Sequence, residues 1–397
     1  MSGRWLGTLM TTAISAMYAR AVYRKMCKRR QRGAAAQRRC KAPVPPEGHL
    51  VELSHGSCYY VLEGEQHGGP LVVMVHGVVA CTEQLLHVSR VIVPSLLPQC
   101  ISLRSHPAAV LLSAAQETLH VLQSFRICAA EPLRDPIQAL CKRRRVLRFD
   151  LGGRGFSSYG NADSNPHTDK FFAGQLAELL FVLGECEPID IVGFSMGGLV
   201  AARFSATFPY KVRSAVLIAP PGTRYGPQPR WFPWFLALAP AGVTWLLARH
   251  MTSPEILGTD RWWESPPHNP DHHLMWEEHH ARDARRSSLE PALPFSILST
   301  WQHFPFNDAE DTFRLLGQHR HIPVLVMWGL HDRLISPKGA HVILDLMPRA
   351  QLWTIEKATH SLPMERYEEV SAKLTSWWRS CDCQGLSTEG KDSVRPE

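Results

Sequence analysis

Short blocks of uninterrupted apolar residues recur along most of this chain, with amphipathic stretches between them. "HLVELSHGSCYYVLEGE" (49–65) alternates apolar and polar positions on either side of a central break, which predicts a β-hairpin. "PLVVMVHG" (70–77), the start of "RVLRFDLGGRGFSS" (145–158), residues 189–194, "VRSAVLIAPPG" (212–222) and "PVLVMWGLHDRL" (323–334) each carry a compact apolar run that ends at Gly, Pro or a polar turn, the mark of a buried strand, and "QLWTIEKATH" (351–360) begins as a further strand. "DKFFAGQLAELLFVLGE" (169–185) and "ERYEEVSAKLTSWWRS" (365–380) repeat apolar positions at helical spacing. Strands buried on both faces need a layer above and a layer below. Helices lying between them in sequence supply those layers, so the pattern predicts a mostly parallel α/β sheet flanked by helices.

Two stretches break the alternation. Residues 80–143 separate the "VMVHG" strand from the next one by much more than a helical connection requires. The surplus, about 82–142, reads as an irregular insert with a loose helical pattern, prolines and the basic end "KRRR" (142–145), and no chemistry attaches to it. Residues 223–320 differ in composition, holding seven of the twelve tryptophans (Trp231, Trp234, Trp245, Trp262, Trp263, Trp276, Trp301) and the run "HNPDHHLMWEEHH" (268–280). Lying between two core strands, they predict a helical cap. Its tryptophans serve either the packing of a small subdomain or an apolar tunnel or lid that meets lipid. The histidines have ligand-like spacings but no strand or cysteine framework to fix them, so a solvated surface accounts for them and no metal site is expected. The chain thus divides into a basic segment 1–46, core 47–222, cap 223–320, core 321–380 and a disordered tail 381–397.

The formal net charge of +7 describes the N-terminus only. Residues 1–46 contain eleven Lys/Arg and no Asp/Glu, leaving 32 basic against 36 acidic residues in the body. A body of that balance gives no reason to expect nucleic acid as a partner. "WLGTLMTTAISAMYA" (5–19) is uncharged and, counting about eighteen residues if Arg20 snorkels, lies at the short end for a spanning helix. The basic cluster of 20–41 follows the apolar run instead of preceding it, which argues against a cleaved secretory signal. The expectation is a signal anchor or monotopic helix that holds the protein to a membrane surface through residues 5–41, facing the cytosol. A mitochondrial presequence and a plain disordered tail are the alternatives. The ten cysteines do not make a disulfide framework in a chain this long; Cys381 and Cys383 read as free thiols, and Cys27 and Cys40 lie where acylation would reinforce an anchor.

Chemistry enters at "DIVGFSMGGLVAARF" (190–204), where an apolar strand runs into Ser195 and a helix-forming stretch follows with no loop between. So tight a corner forces the serine toward positive φ, at a cost of about 1–3 kcal/mol. Gly193 and Gly197 leave room for the chain to pass itself. The hydroxyl is then lifted above the sheet edge, and the N-terminal N–H groups of the helix point at the same place. A serine needs a base, and the base an orienting acid, in the chain order Ser, Asp, His after such an elbow. Asp332 follows the strand "VLVMWG" and His360 follows "QLWTIE", both just past a C-terminal strand end, where ligands gather in open α/β sheets. His341 and Asp345 lie along the next helix, and His331 points away if Asp332 faces the site, so they are weaker candidates. The two oxyanion donors are expected to be the N–H of Met196 and that of Val78, with Val79 as the less favoured neighbour.

"VVMVHG", "FDLGGRGFSS", "GFSMGG", "WGLHDRLISP" and "ATHSLPMERYEEV", in this order, resemble the oxyanion loop, Gly-x-Gly-x-Ser segment, elbow, acid turn and histidine turn of the α/β-hydrolase fold serine hydrolases. The likeness covers about 47–80 and 145–380 and is most similar to the branch of monoacylglycerol lipases and small esterases, which also contains iminopeptidases. It implies ester hydrolysis through an acyl-enzyme, an apolar acyl-ester or lipid substrate, and no cofactor. Dehalogenases and epoxide hydrolases of this fold use an aspartate nucleophile, against which Ser195 argues. Two departures stand out: the insert directly after the oxyanion loop, and Thr359 where the family usually has Gly before the histidine. Other readings of the same residues are a peptidase or thioesterase, an acyltransferase (Glu365 stands five residues after His360, where some relatives carry Asp), and a catalytically inactive binding protein.

Overall fold

The computed structural model describes residues 48–66, 68–78, 144–158, 166–251 and 293–389. The segment 1–46, the insert 82–142, Val79 and the histidine run 268–280 lie outside the described residues. Strand β1 (His49–Leu53) folds back on β2 (Gly56–Glu63) as the antiparallel hairpin expected from the alternation. β2 then pairs antiparallel with β4 (Arg145–Phe149). Every further pairing is parallel, through β3 (Leu71–Val75), β5 (Ile189–Phe194), β6 (Val212–Ile218), β7 (Val324–Gly329) and β8 (Gln351–Ile355). The sheet order is β1-β2-β4-β3-β5-β6-β7-β8.

Alternate residues of each strand face opposite layers. Val73, Val75, Ile191, Leu217 and Val326 pack in one apolar cluster with Phe172, Leu176, Leu199 and Phe313. Those partners come from α1 (Asp169–Val182), α2 (Met196–Thr207) and α6 (Glu310–Gln318). Val72, Met74, Val192, Val216 and Met327 face the other way, onto Leu362, Val370, Leu374 and Trp378. These belong to the short α8 (Leu362–Glu365) and the long α9 (Tyr367–Glu389). Each such aliphatic side chain, fully buried, contributes about 1.5–3 kcal/mol, so both layers hold the sheet firmly. α1 is capped by Thr168, whose hydroxyl oxygen accepts the Phe171 N–H at 3.1 Å.

Between β6 and β7 the chain forms α3 (Phe232–Leu238), α4 (Ala241–Met251) and α5 (Leu293–His303) before α6. α5 packs against α3 and α4. Composition places the whole stretch 223–320 in the cap, and the structure narrows this: Phe304, Phe306, Ala309 and Phe313 lie in the main core cluster, and α6 packs on α2. α6 is amphipathic and covers the sheet, so the core resumes before residue 321. The tail expected from 381 does not begin there either. α9 continues to Glu389, and Asp382 on its flank binds Arg144 at 2.9 Å and also pairs with Arg213. No helix among the described residues is long and apolar enough to cross a membrane.

Candidate active site

Ser195 stands alone between β5 and α2, with φ 54° and ψ −123°. Its N–H donates to Ile218 O at 2.8 Å, and its carbonyl accepts from Gly198 N, also at 2.8 Å. These bonds tie the corner to β6 on one side and to the first turn of α2 on the other. The glycines are sterically required. A Cβ on Gly193 would lie 2.1 Å from the Gly197 carbonyl oxygen, and one on Gly197 would lie 2.2 Å from that of Val75. The helix therefore starts pressed against the end of β3, and the Ser195 side chain has only the sheet edge to project from.

β7 ends in Gly329, where a Cβ would come within 2.3 Å of the Ala358 carbonyl oxygen. That absence lets the turn after β7 lie on the turn after β8, and His331 N–H donates to Ala358 O at 3.0 Å across the contact. Asp332 and His360 are thereby brought face to face. His360 Nδ1 lies 2.7 Å from Asp332 Oδ2, and its Nε2 lies 2.9 Å from Ser195 Oγ. A carboxylate only accepts, so Nδ1 carries the proton and Nε2 is free to receive the hydroxyl of Ser195. Asp332 Oδ1 accepts from Leu334 N at 2.9 Å and from Ile335 N at 2.8 Å, which fixes the carboxylate plane. All three residues are buried. His331, and His341 and Asp345 on α7 (Lys338–Leu346), the weaker candidates from sequence, are exposed.

Behind His360 the turn is held by Glu365 of α8. Its Oε2 accepts the Thr359 N–H at 2.9 Å and the Thr359 hydroxyl at 2.8 Å. The threonine that departs from the family's glycine thus adds a second bond to the same carboxylate. The ring of Phe194 lies 5.2 Å from that of His360 and walls the other side.

Met196, the first residue of α2, is fully buried with its N–H among the helix-terminal donors that lack an intrahelical acceptor. Val78 is half-buried in the turn after β3, packed on the main core cluster. Leu151 N–H donates to His76 Nε2 at 3.0 Å, so the proton of that ring sits on Nδ1, which donates to Gly77 O at 2.8 Å. Arg154 Nε donates to Val78 O at 3.0 Å. The "FDLGGRGFSS" motif marks this loop in the sequence, but nothing there singles out Arg154 or shows what it reaches. Val79 lies outside the described residues.

This arrangement can activate a hydroxyl by proton transfer to a histidine whose other nitrogen is oriented by a buried carboxylate. Residues 123–373 match the family described as "Alpha/beta hydrolase family", a range that starts downstream of β3 and Val78. The chain is similar to monoacylglycerol lipase ABHD6 of Rattus norvegicus, 24% identical over 251 residues covering 60% of this chain and 68% of the rat protein. It is also similar to Lipase 1 of Psychrobacter immobilis, 24% identical over 227 residues, 55% of this chain and 64% of that one. A 108-residue stretch is 33% identical to the human 1-acylglycerol-3-phosphate O-acyltransferase ABHD5, covering 26% of this chain and 31% of that protein. The chain therefore spans about two thirds or less of the length of these curated relatives. Among solved structures, a membrane phospholipase A covers 96% of this chain and 99% of its own at TM-score 0.56 and 19% identity. An enol-lactonase from Burkholderia xenovorans covers 83% and 100% at TM-score 0.56 and 15% identity. At such identities the likeness is one of fold.

Proposed function

The chain belongs to the α/β hydrolase family, and from that premise we propose that it is a serine hydrolase that cleaves carboxylic esters, those of lipid acyl chains, through a covalent acyl-enzyme. The observation that carries this reading is the hydrogen-bonded run from Asp332 through His360 to Ser195 at 2.7 and 2.9 Å. Ser195 Oγ attacks the ester carbonyl while its proton passes to His360 Nε2. Asp332 holds Nδ1–H and stabilises the imidazolium that forms. The N–H groups of Met196 and Val78 receive the charge that develops on the carbonyl oxygen. His360 gives its proton to the departing alkoxide, takes one from the water that attacks the acyl-enzyme, and returns it to Ser195 Oγ as the acyl–Oγ bond breaks and the acid leaves. The cycle uses no cofactor.

A lipid acyl group suits the relatives named as lipases, and it suits the cap, where Trp231, Trp234 and Leu238 expose large apolar side chains. The same proposal places the enzyme at a membrane surface through residues 5–41, facing the cytosol, with a mitochondrial location as the alternative. An acyltransferase is the second reading, favoured by the 108-residue match to the human acyltransferase. It would use the same acyl-enzyme and pass the acyl group to an alcohol instead of water.

The test is fluorophosphonate labelling of the full chain, with turnover measured on a panel of acyl and peptidyl esters. Ser195→Ala should abolish labelling, and Ser195→Ala, Asp332→Asn and His360→Ala should each lower kcat on the order of 10⁴-fold, without additivity in the doubles. A wild-type protein that neither labels nor turns over would leave a binding protein of this fold. Product analysis with added glycerol or lysophospholipid separates transfer from hydrolysis.

A further inference from the structure

A buried polar seam joins the glycine loop after β4 to the cap helix α5. Arg154 lies in it with 1% of its surface exposed. Its guanidinium bonds three segments at once. Nε donates to Val78 O at 3.0 Å, and Nη1 donates to Gly152 O at 3.1 Å and to Ser296 Oγ at 2.8 Å. Nη2 donates to Thr300 Oγ1 at 2.6 Å. Ser296 and Thr300 are four residues apart and share one face of α5. The Thr300 hydroxyl gives its own proton to Ser296 O at 3.0 Å, so its lone pairs are left for the arginine. The helix can come this close because Gly153 has no side chain: at its φ of 76°, a Cβ would lie 2.0 Å from Ser296 Oγ. The Phe172 ring centroid lies 5.4 Å from the guanidinium carbon, which sits over the ring face.

The consequence for Val78 follows from peptide planarity. In a trans peptide the C=O and N–H point in opposite directions. The peptide that carries the Val78 N–H is the one whose carbonyl belongs to Gly77, and His76 Nδ1–H holds that oxygen. The next peptide plane starts at Val78 O, which Arg154 holds. The residue assigned as oxyanion donor is thus gripped through the peptide plane on each side. Both grips come back to the same glycine loop, since Leu151 N–H fixes the His76 ring.

We propose that Arg154 is a positioning residue for the oxyanion hole, tying the main chain at Val78 to cap helix α5 so that seating of the cap and completion of the hole are one event. This rests on the serine-hydrolase reading and on Val78 as a donor. An arginine suits the task because its planar fork bonds in fixed directions, whereas a lysine is a mobile point charge.

The experiment uses the full chain, Arg154→Lys, Arg154→Ala and the double variant Ser296→Ala/Thr300→Val, which leaves the arginine in place. Each is measured for thermal unfolding, for kcat and KM on a short soluble ester, and for inhibition by a trifluoromethyl ketone, whose adduct needs the oxyanion donors. Arg154→Ala should lose about 10²–10³-fold in kcat, the cost of one oxyanion donor, with KM little changed and ketone affinity falling in parallel. Guanidinium ion added at concentrations below those that unfold the protein should restore part of the loss, whereas Arg154→Lys should restore little. The double variant should lose about tenfold in kcat by the same route. If Arg154→Ala does not fold, the double variant decides. Folded variants with unchanged kcat and ketone affinity would overturn the proposal, and so would a kcat loss with ketone affinity intact. An inactive, unlabelled wild type would instead defeat the serine-hydrolase reading itself.

Discussion

Single residues at this site are held against their intrinsic preferences. Ser195 keeps a φ of 54° at a cost of about 1–3 kcal/mol, offset by the β5 and α2 packing around it. His167, beside the Arg154 seam, is a second case. Burial, then the charges of Arg154 and His303, hold its imidazole down to about 3. Free histidine titrates near 6.5, so between about pH 6.5 and 3 the unfolded chain binds a proton that the folded chain does not. The folded state's advantage is complete above pH 6.5 and drains away on acidification by up to about 1.4 kcal/mol per pH unit. Urea midpoints measured from pH 7 to 4 should therefore fall more steeply for the wild type than for His167→Gln. Parallel slopes would show that His167 protonates freely in the folded protein.

At the scale of elements, the histidine turn between β8 and α8 is where packing of a helix bears on the site. One carboxylate oxygen, Glu365 Oε2, accepts two donors from Thr359, the residue before His360. Removing it leaves a buried N–H and a hydroxyl without that acceptor, at a cost of about 1–3 kcal/mol. Glu365→Ala should destabilise by that amount and lower kcat more than it raises KM, because Glu365 bonds the residue next to His360. Glu365→Gln keeps an oxygen for both donors and should retain most activity. The role fails if Glu365→Ala melts at the wild-type temperature with normal kcat.

Across the whole molecule, the end of the sheet away from Ser195 is closed by charge. Asp190, fully buried in β5, pairs with Arg144 and Arg213 and accepts the Ser214 hydroxyl, while both arginines also bind Asp382 of α9. The Arg144 guanidinium stacks 4.9 Å over the Trp378 ring. Strand β4, strands β5 and β6, and α9 are locked together in this way. Asp190→Ala would leave the buried Arg144 and the partly exposed Arg213 to share the single carboxylate of Asp382, and should cost about 3–5 kcal/mol in chemical denaturation. Ser195 lies five residues further along, about 16 Å at strand rise. Fluorophosphonate labelling per folded molecule should therefore be unchanged, and a large loss of labelling in the folded fraction would show that the cluster reaches the site.

The amino-acid sequence by itself determined the strands, the layering and the residues at the strand ends, because each depends on neighbours within a few positions. An apolar run bounded by Gly or Pro sets a buried strand, and Gly-x-Ser-x-Gly between strand and helix sets the corner. Ser195, Asp332 and His360 were legible because each follows a strand whose C-terminal end must lie at one edge of a parallel sheet. Only the tertiary structure decided which distant groups meet. Arg154 and Ser296 are 142 residues apart, and Arg144 and Asp382 are 238 apart. No local period encodes such pairs. They also bear on the element boundaries: "KRRR" reads as the end of an insert, yet Arg144 is a buried core residue, and α9 runs past 381, where Asp382 has partners across the fold. Burial of a charge is favourable only when its partner arrives, and the partner's arrival is a property of the folded chain.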